Sequence, residues 1–158
     1  MQRKGIRFVV AVGGPLLAGA IGSIFTSISV GTWFPTLVKP ALNPPAWVFG
    51  PVWTLLYALM GIAAYLVWAN QGAMREEKKR ALQIFVLQLA LNVLWSVLFF
   101  GLLSPLAALV NIVLLWCAIL WTIFAFKGIS RPAAWLLAPY LAWVTFATYL
   151  NAAIWFLN

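Results

Sequence analysis

The chain has 158 residues, 65% of them hydrophobic and only 8% charged, with a formal net charge of +8. An ordinary soluble domain is about one quarter charged, so this composition, with a mean hydropathy of +1.02, predicts a single-domain integral membrane protein. There is no histidine and no aspartate, and Glu76 and Glu77 are the only acids, which excludes paired-carboxylate chemistry, a Ser/His/Asp triad and a His-ligated metal or haem.

Five segments, 6–28, 47–69, 81–101, 105–126 and 132–156, are each long enough to cross a core of about 30 Å at about 1.5 Å of rise per residue. The fold class predicted is therefore an all-α bundle of five transmembrane helices. The first segment follows Arg3, Lys4 and Arg7 as a signal peptide would. It lacks a convincing small-residue cleavage site and is read as a span that stays. Its Gly14, Ala18 and Gly22 recur every four residues, a spacing that lets a helix approach closely, within the monomer or across a dimer seam.

Residues 33–57, WFPTLVKPALNPPAWVFGPVWTLLY, hold three tryptophans, five prolines and Lys39 at the start of the second span. The prolines predict a stiff loop, and Asn43 followed by Pro44 and Pro45 predicts an N-cap with prolines in a first turn. Residues 71–80, QGAMREEKKR, read as a charged surface loop. GLLSP at 101–105 reads as a tight turn whose Ser104 and Pro105 start the fourth span, and KGISRP at 127–132 does the same for the fifth. With five spans, the N-terminus, the 71–80 loop and the 127–132 loop share one side and carry nine of the ten basic residues, leaving Lys39 opposite. For a protein of the cell (inner) membrane, the positive-inside rule then predicts a cytoplasmic N-terminus and an outer C-terminus. Basic charge at membrane edges, rather than on one solvated face, argues against nucleic acid as a partner.

Apart from Arg7 at the very start of the first, no acidic or basic residue falls inside a span, which argues against ion pumping. Cys117, mid-span and the sole thiol, reads as a packing residue. Any chemistry must come from a bound ligand, and helical spacing indicates what it would touch. Tyr140, Trp143, Ala147, Leu150 and Ile154 share a face of the last span with Asn151 at its margin; Gln88, Asn92, Trp95 and Phe99 share a face of the third; Trp53 and Tyr57 share one of the second. The amides should face the bundle, since burying them unpaired costs several kcal/mol, on the order of 2–7. Trp33, Trp68, Trp135 and Trp155 sit near span ends and fit an interfacial belt. For the deeper Trp53, Trp95, Trp116 and Trp143, spacing alone leaves pocket and core packing both open. Gln88, Asn92 and Asn151 read equally as interhelical glue, and Lys39 as a snorkelling cation.

Three blocks add what spacing does not. Residues 33–57, then LALNVLWSVLFFG at 89–101, then PYLAWVTFATYLNAAIW at 139–155 resemble the TspO/MBR family, the tryptophan-rich sensory proteins whose mitochondrial relatives are called translocator protein or peripheral benzodiazepine receptor. The resemblance implies a five-helix membrane fold, often a homodimer, with a pocket roofed by the loop between the first two spans. It implies binding of porphyrins such as protoporphyrin IX and haem, of benzodiazepine-type and isoquinoline carboxamide ligands, and, in animal members, of cholesterol, with no obligatory cofactor. By motif, Trp53 in GPVWTLLY and Trp143 in PYLAW match two pocket tryptophans implicated in bacterial relatives in light- and oxygen-dependent porphyrin breakdown. Asn92 and Trp95 in LNVLW, and Ala147, Leu150 and Asn151 in FATYLN, match other pocket positions, and a bulkier residue at 147 would narrow the pocket. Tyr57, Tyr140 and Trp33 complete the expected ligand set, with Lys39 of the lid a candidate contact for propionates. Animal members carry an aromatic and then a basic residue just after the LN pair. Here Ala152 and Phe156 stand there, which counts against a sterol motif and makes the chain look more like a bacterial member. The functions implied are sensing, sequestering or transporting porphyrin, with photo-oxidative degradation and sterol or lipid carriage as alternatives.

Overall fold

The computed structural model describes residues 2–158. Helix α1 spans Gln2–Ser29, a 3-10 turn spans Phe34–Thr36, and α2 spans Ala46–Ala69. Helix α3, Arg75–Ser96, runs on as a π turn over Val97–Gly101; α4 spans Pro105–Ile129, α5 Arg131–Leu136 and α6 Ala138–Leu157. Together they supply five helical rods long and apolar enough to cross a membrane: Gly5–Ser29, Ala46–Ala69, Arg75–Gly101, Pro105–Ile129 and Arg131–Leu157. This is the expected five-helix bundle, with no strand among the described residues.

Four local expectations change. The helix α3 begins at Arg75, inside what reads as a charged loop. Its first turn carries Glu76 and Glu77, and the Glu77 carboxylate accepts from the Met74 N–H at 3.2 Å. Acidic side chains at a helix N-terminus satisfy open amides and oppose the macrodipole, so the charges start a helix rather than prevent one. The true turn is shorter. There the Asn70 side chain accepts from the N–H groups of Gly72 and Ala73 and donates to the Ile129 carbonyl, each at 2.9 Å, tying two adjacent loops together.

Asn43 does not cap α2. The helix starts at Ala46 with Pro45 as the flanking residue and no side-chain cap, and the Asn43 amide donates instead to the Pro44 carbonyl at 3.1 Å. A residue preceding proline is pushed out of the helical region, so Pro44 cannot be helical and the first turn waits for Ala46. The last span breaks into α5 and α6 at Leu137, because the Pro139 ring and its missing N–H do not continue the preceding helix. Ser104 and Ser130 do cap α4 and α5, accepting from the N–H groups of Ala107 and Ala133 at 3.4 Å.

The glycine spacing in α1 is also used differently. Gly14 faces open space, whereas Gly22 lies against Ser96, and a β-carbon at Gly19 would overlap the Tyr57 ring. A close approach of helix backbones is made at Gly61 of α2, where a β-carbon would meet the Val12 Cα at 2.5 Å and the Ala11 carbonyl oxygen at 3.1 Å. The core of the bundle is filled by Leu56, Met60, Val67, Leu115, Ile119 and Phe126. A second cluster, Phe99, Phe100, Ala108 and Ile154, carries the loop residues Trp33, Phe34 and Leu37.

Candidate functional site

Helix α6 packs on α4 and α5 but makes no extensive backbone approach to α1, α2 or α3. The space left between them is a cavity of ≈ 520 Å³. Each side comes from a local sequence feature. From α2, Trp53 and Tyr57 stand one helical turn apart and stack at 5.5 Å between ring centroids. From α3 come Asn92 and Trp95. The π turn then adds Phe99, stacked on Trp95 at 5.1 Å, and Phe100, set edge-on to Phe99 at 4.9 Å. From α6 come Ala147, Leu150, Asn151 and Ile154, the small residue leaving room where the others close it.

The buried amides fix these walls to one another. The Tyr57 hydroxyl donates to Asn92 Oδ1 at 2.5 Å, Asn92 Nδ2 donates to the Tyr140 hydroxyl at 2.9 Å, and Tyr140 donates to Gln88 Oε1 at 2.9 Å. Trp95 Nε1 donates to Asn151 Oδ1 at 2.9 Å, and Asn151 Nδ2 donates to the Pro105 carbonyl at 2.8 Å. These bonds link α2 to α3 to α6 with every participant's polar group used. A bonded amide in an apolar interior is directional where aromatic packing is not, so the chain sets the angle of the Trp95 ring. Replacing Asn92 with leucine strands the Tyr57 hydroxyl and takes a donor from Tyr140. At about 1–3 kcal/mol for an abandoned buried group, moderated to below about 2 per bond in membrane interiors, a loss of about 2 kcal/mol is expected. It would be read as a lower thermal unfolding midpoint in detergent; an unchanged midpoint would show the chain to be dispensable.

Of the residues expected from the sequence, Trp53, Tyr57, Asn92, Trp95, Ala147, Leu150 and Asn151 line the cavity together. Trp33, Tyr140, Trp143 and Lys39 lie just outside its lining. Tyr140 sits behind Trp53, ring edge to face at 6.2 Å, and Trp143 packs against Phe49 at 5.9 Å. Trp33 braces the loop on Phe99 at 5.6 Å. The Lys39 ammonium donates to the carbonyls of Pro35 at 3.3 Å and Leu37 at 3.0 Å and lies 4.9 Å over the Phe34 ring, so it stitches its own loop. That loop closes the end of the cavity with Phe34 and Asn43. It is pinned from α6, where the Asn158 side chain accepts from the Val38 N–H at 2.9 Å and donates to the Val38 carbonyl at 3.0 Å.

The sequence pointed to no cavity residue on the first span, yet α1 forms the fourth side, through Gly19, Gly22, Ser23, Thr26 and Ser27. The signal was present as hydroxyl residues at three- and four-residue spacing in an otherwise apolar span. Among the described residues, no charged side chain lines the cavity. Among the remaining deep tryptophans, Trp116 donates to Thr145 at 2.8 Å and joins α4 to α6. Trp135 and Trp155 are exposed at the end regions, as an interfacial belt requires.

Residues 11–156 match the family model described as TspO/MBR family. The chain is 46% identical over 158 residues to the tryptophan-rich protein TspO of Chlorobaculum tepidum, covering 100% of this chain and 99% of that one. It is 46% identical over 153 residues to a protein of the same name in Archaeoglobus fulgidus, covering 97% of each. It is 42% identical over 141 residues to the translocator protein of Homo sapiens, covering 89% of this chain and 83% of that one. With that match across nearly its whole length, and with the five-helix bundle it folds into, the chain belongs to the TspO/MBR family.

Proposed function

We propose that the protein binds a tetrapyrrole, protoporphyrin IX or haem, in the cavity beneath the 33–45 loop, and that it senses, sequesters or transports this ligand within a cell membrane. The observation that carries the reading is an uncharged cavity of ≈ 520 Å³ lined by the stacked pairs Trp53–Tyr57 and Trp95–Phe99. That size falls in the usual range for small-molecule sites, about 300–1,000 Å³. Extended aromatic faces suit a flat apolar macrocycle, because ring stacking adds to the area each ring buries. The distribution of basic residues supports an N-terminus in the cytoplasm, with the loop and cavity mouth on the opposite side.

The lining offers iron no ordinary axial ligand. Among the described residues it contains no histidine, cysteine or methionine, and the Tyr57 oxygen is committed to Asn92. Binding therefore rests on the macrocycle faces, and metal-free protoporphyrin IX and haem should bind with similar affinity. The test is quenching of tryptophan fluorescence by each, with the purified protein in lipid nanodiscs. Saturable quenching at about one porphyrin per chain is expected. Linear, unsaturable quenching like that of empty discs would overturn the reading.

A further inference from the structure

We propose that the ligand reaches the cavity sideways from the lipid, through a gap between α1 and α2, while the 33–45 loop stays closed. The inference rests on the ligand reading above for the identity of its cargo but on separate geometry for the route. Helix α1 changes partners between Gly19 and Gly22. As far as Gly19 it is locked to α2: Phe8 packs edge-on to Tyr65 at 5.2 Å, Gly61 lies against the Val12 backbone, and Gly19 lies against Tyr57. Beyond it the helix leans on α3 and the π turn instead. There Gly22 meets Ser96, Phe25 packs over Gly101, and the Ser29 hydroxyl donates to the Phe100 carbonyl at 2.8 Å. Two helices that touch at one end and separate at the other leave a wedge, and this wedge opens onto the cavity.

Burial locates the opening. Every cavity-lining residue that is also exposed lies on α1, the turn directly after it, or α2; those of α3, α6 and the loop are buried or half-buried. Leu16, Ala20, Ser23, Ser27 and Val30 form one rim, and Ala46, Gly50 and Thr54 the other. Between Leu16 and Val30 these side chains are small, and a β-carbon at Gly50 would meet nothing within 4 Å. The rim hydroxyls are already satisfied. Ser23 donates to the Ala20 carbonyl at 2.7 Å, Ser27 to Ile24 at 2.7 Å and Thr54 to Gly50 at 2.9 Å. Hydroxyls bonded to their own helix tolerate a hydrocarbon environment, so the gap suits passage of an apolar ring system. By contrast, the neighbouring seam between α2 and α6 is filled by Phe49, Trp143 and Phe146. The end of the cavity is shut by a loop held through Asn158, Trp33 and Phe34. Passage there breaks several contacts, whereas among the described residues no hydrogen bond or ring contact joins the α1 rim to the α2 rim.

The test compares rates in nanodiscs by stopped-flow tryptophan quenching, with protoporphyrin IX delivered from phosphatidylcholine vesicles. Ser23→Phe and Gly50→Phe place a ring in the gap. Each should slow association and dissociation together by about tenfold or more, so that Kd moves far less than either rate. Asn158→Ala, which unpins the loop, should leave both rates near those of the parent. Rates unmoved by the rim variants, or raised by Asn158→Ala, would overturn the lateral route. A second measurement needs no porphyrin: in a Cys117→Ala background, an Ala147→Cys reporter is labelled with bilayer-dissolved N-(1-pyrenyl)maleimide. Adding Gly50→Phe should slow that labelling about tenfold, and an unchanged rate would again overturn the route. If porphyrin fails to bind at all, the ligand reading falls alone, and the labelling rates still decide the path.

Discussion

Replacing Gly61 with valine is expected to destabilise the bundle more than any other single glycine change. The position allows no side chain, because the nearest atoms are backbone: the Val12 Cα at 2.5 Å and the Ala11 carbonyl oxygen at 3.1 Å from where a β-carbon would stand. Backbone within a helix cannot step aside as a flexible side chain does, so α1 must shift away from α2 as a unit. Overpacking a well-filled contact costs about 1–3 kcal/mol, and here the shift would also disturb the Phe8–Tyr65 contact and the Gly19–Tyr57 approach. A drop of several degrees in the thermal midpoint is expected, about 2–4 °C for each kcal/mol in a chain of this size. Gly14→Ala is the matched control. That glycine faces open space on the same helix pair, and alanine is favoured over glycine in a helix by about 1 kcal/mol, so its midpoint should hold or rise. Equal destabilisation by the two changes would mean that the close approach does not hold α1 in place.

Ala147→Phe is expected to have the largest effect on ligand affinity. Ala147 is a small residue on a cavity wall otherwise made by Trp53, Trp95, Leu150 and Asn151, so an added ring occupies ligand space. The Kd for protoporphyrin IX should rise at least about tenfold, the equivalent of about 1.4 kcal/mol. The thermal midpoint should change little, because the ring enters open space and displaces no packed group. Fluorescence titration and a melting curve on the same preparation separate these effects. An unaltered Kd with a stable protein would mean that porphyrin binds somewhere other than this cavity.

The spans were legible because hydropathy is a property of composition, and a bilayer-crossing helix needs little else. Local exceptions arose where one cue had two physical meanings. Charges at 75–80 read as loop, but Glu76 and Glu77 sit where a helix start favours acids, and the helix extends out of the membrane. Asn43 reads as a cap, but two prolines in succession delay the first turn. Pro139 is passed over in the same way: the apolar run 132–156 reads as one span, and the proline breaks it into α5 and α6. At the site, spacing showed the inward stripes of α2, α3 and α6 but not whether they pack or line a pocket; the resemblance carried by residues 33–57, 89–101 and 139–155 singled out the pocket positions. The α1 side was not legible, since Ser23, Thr26 and Ser27 resemble ordinary span hydroxyls until the partner helices are known. Lys39 shows the converse limit. Sequence places it beside the cavity mouth, and only the folded loop shows its ammonium held by the carbonyls of Pro35 and Leu37.

The π turn at Val97–Gly101 stores its effect in chain length. Its wider bonding, seen where the Leu102 N–H reaches back to the Val97 carbonyl at 2.8 Å, accommodates residues beyond the regular α-helical count before α3 ends. That extra winding lets neighbouring Phe99 and Phe100 both turn inward, 2% and 8% exposed, and form the footing on which Trp33 and Phe34 rest. Such a feature is nearly silent to amino-acid replacement, because backbone bonding and not side-chain identity encodes it. Removing one residue from 97–101 would erase it while leaving overall hydropathy unchanged. The segment is therefore one where insertion and deletion, rather than substitution, are the informative genetic changes.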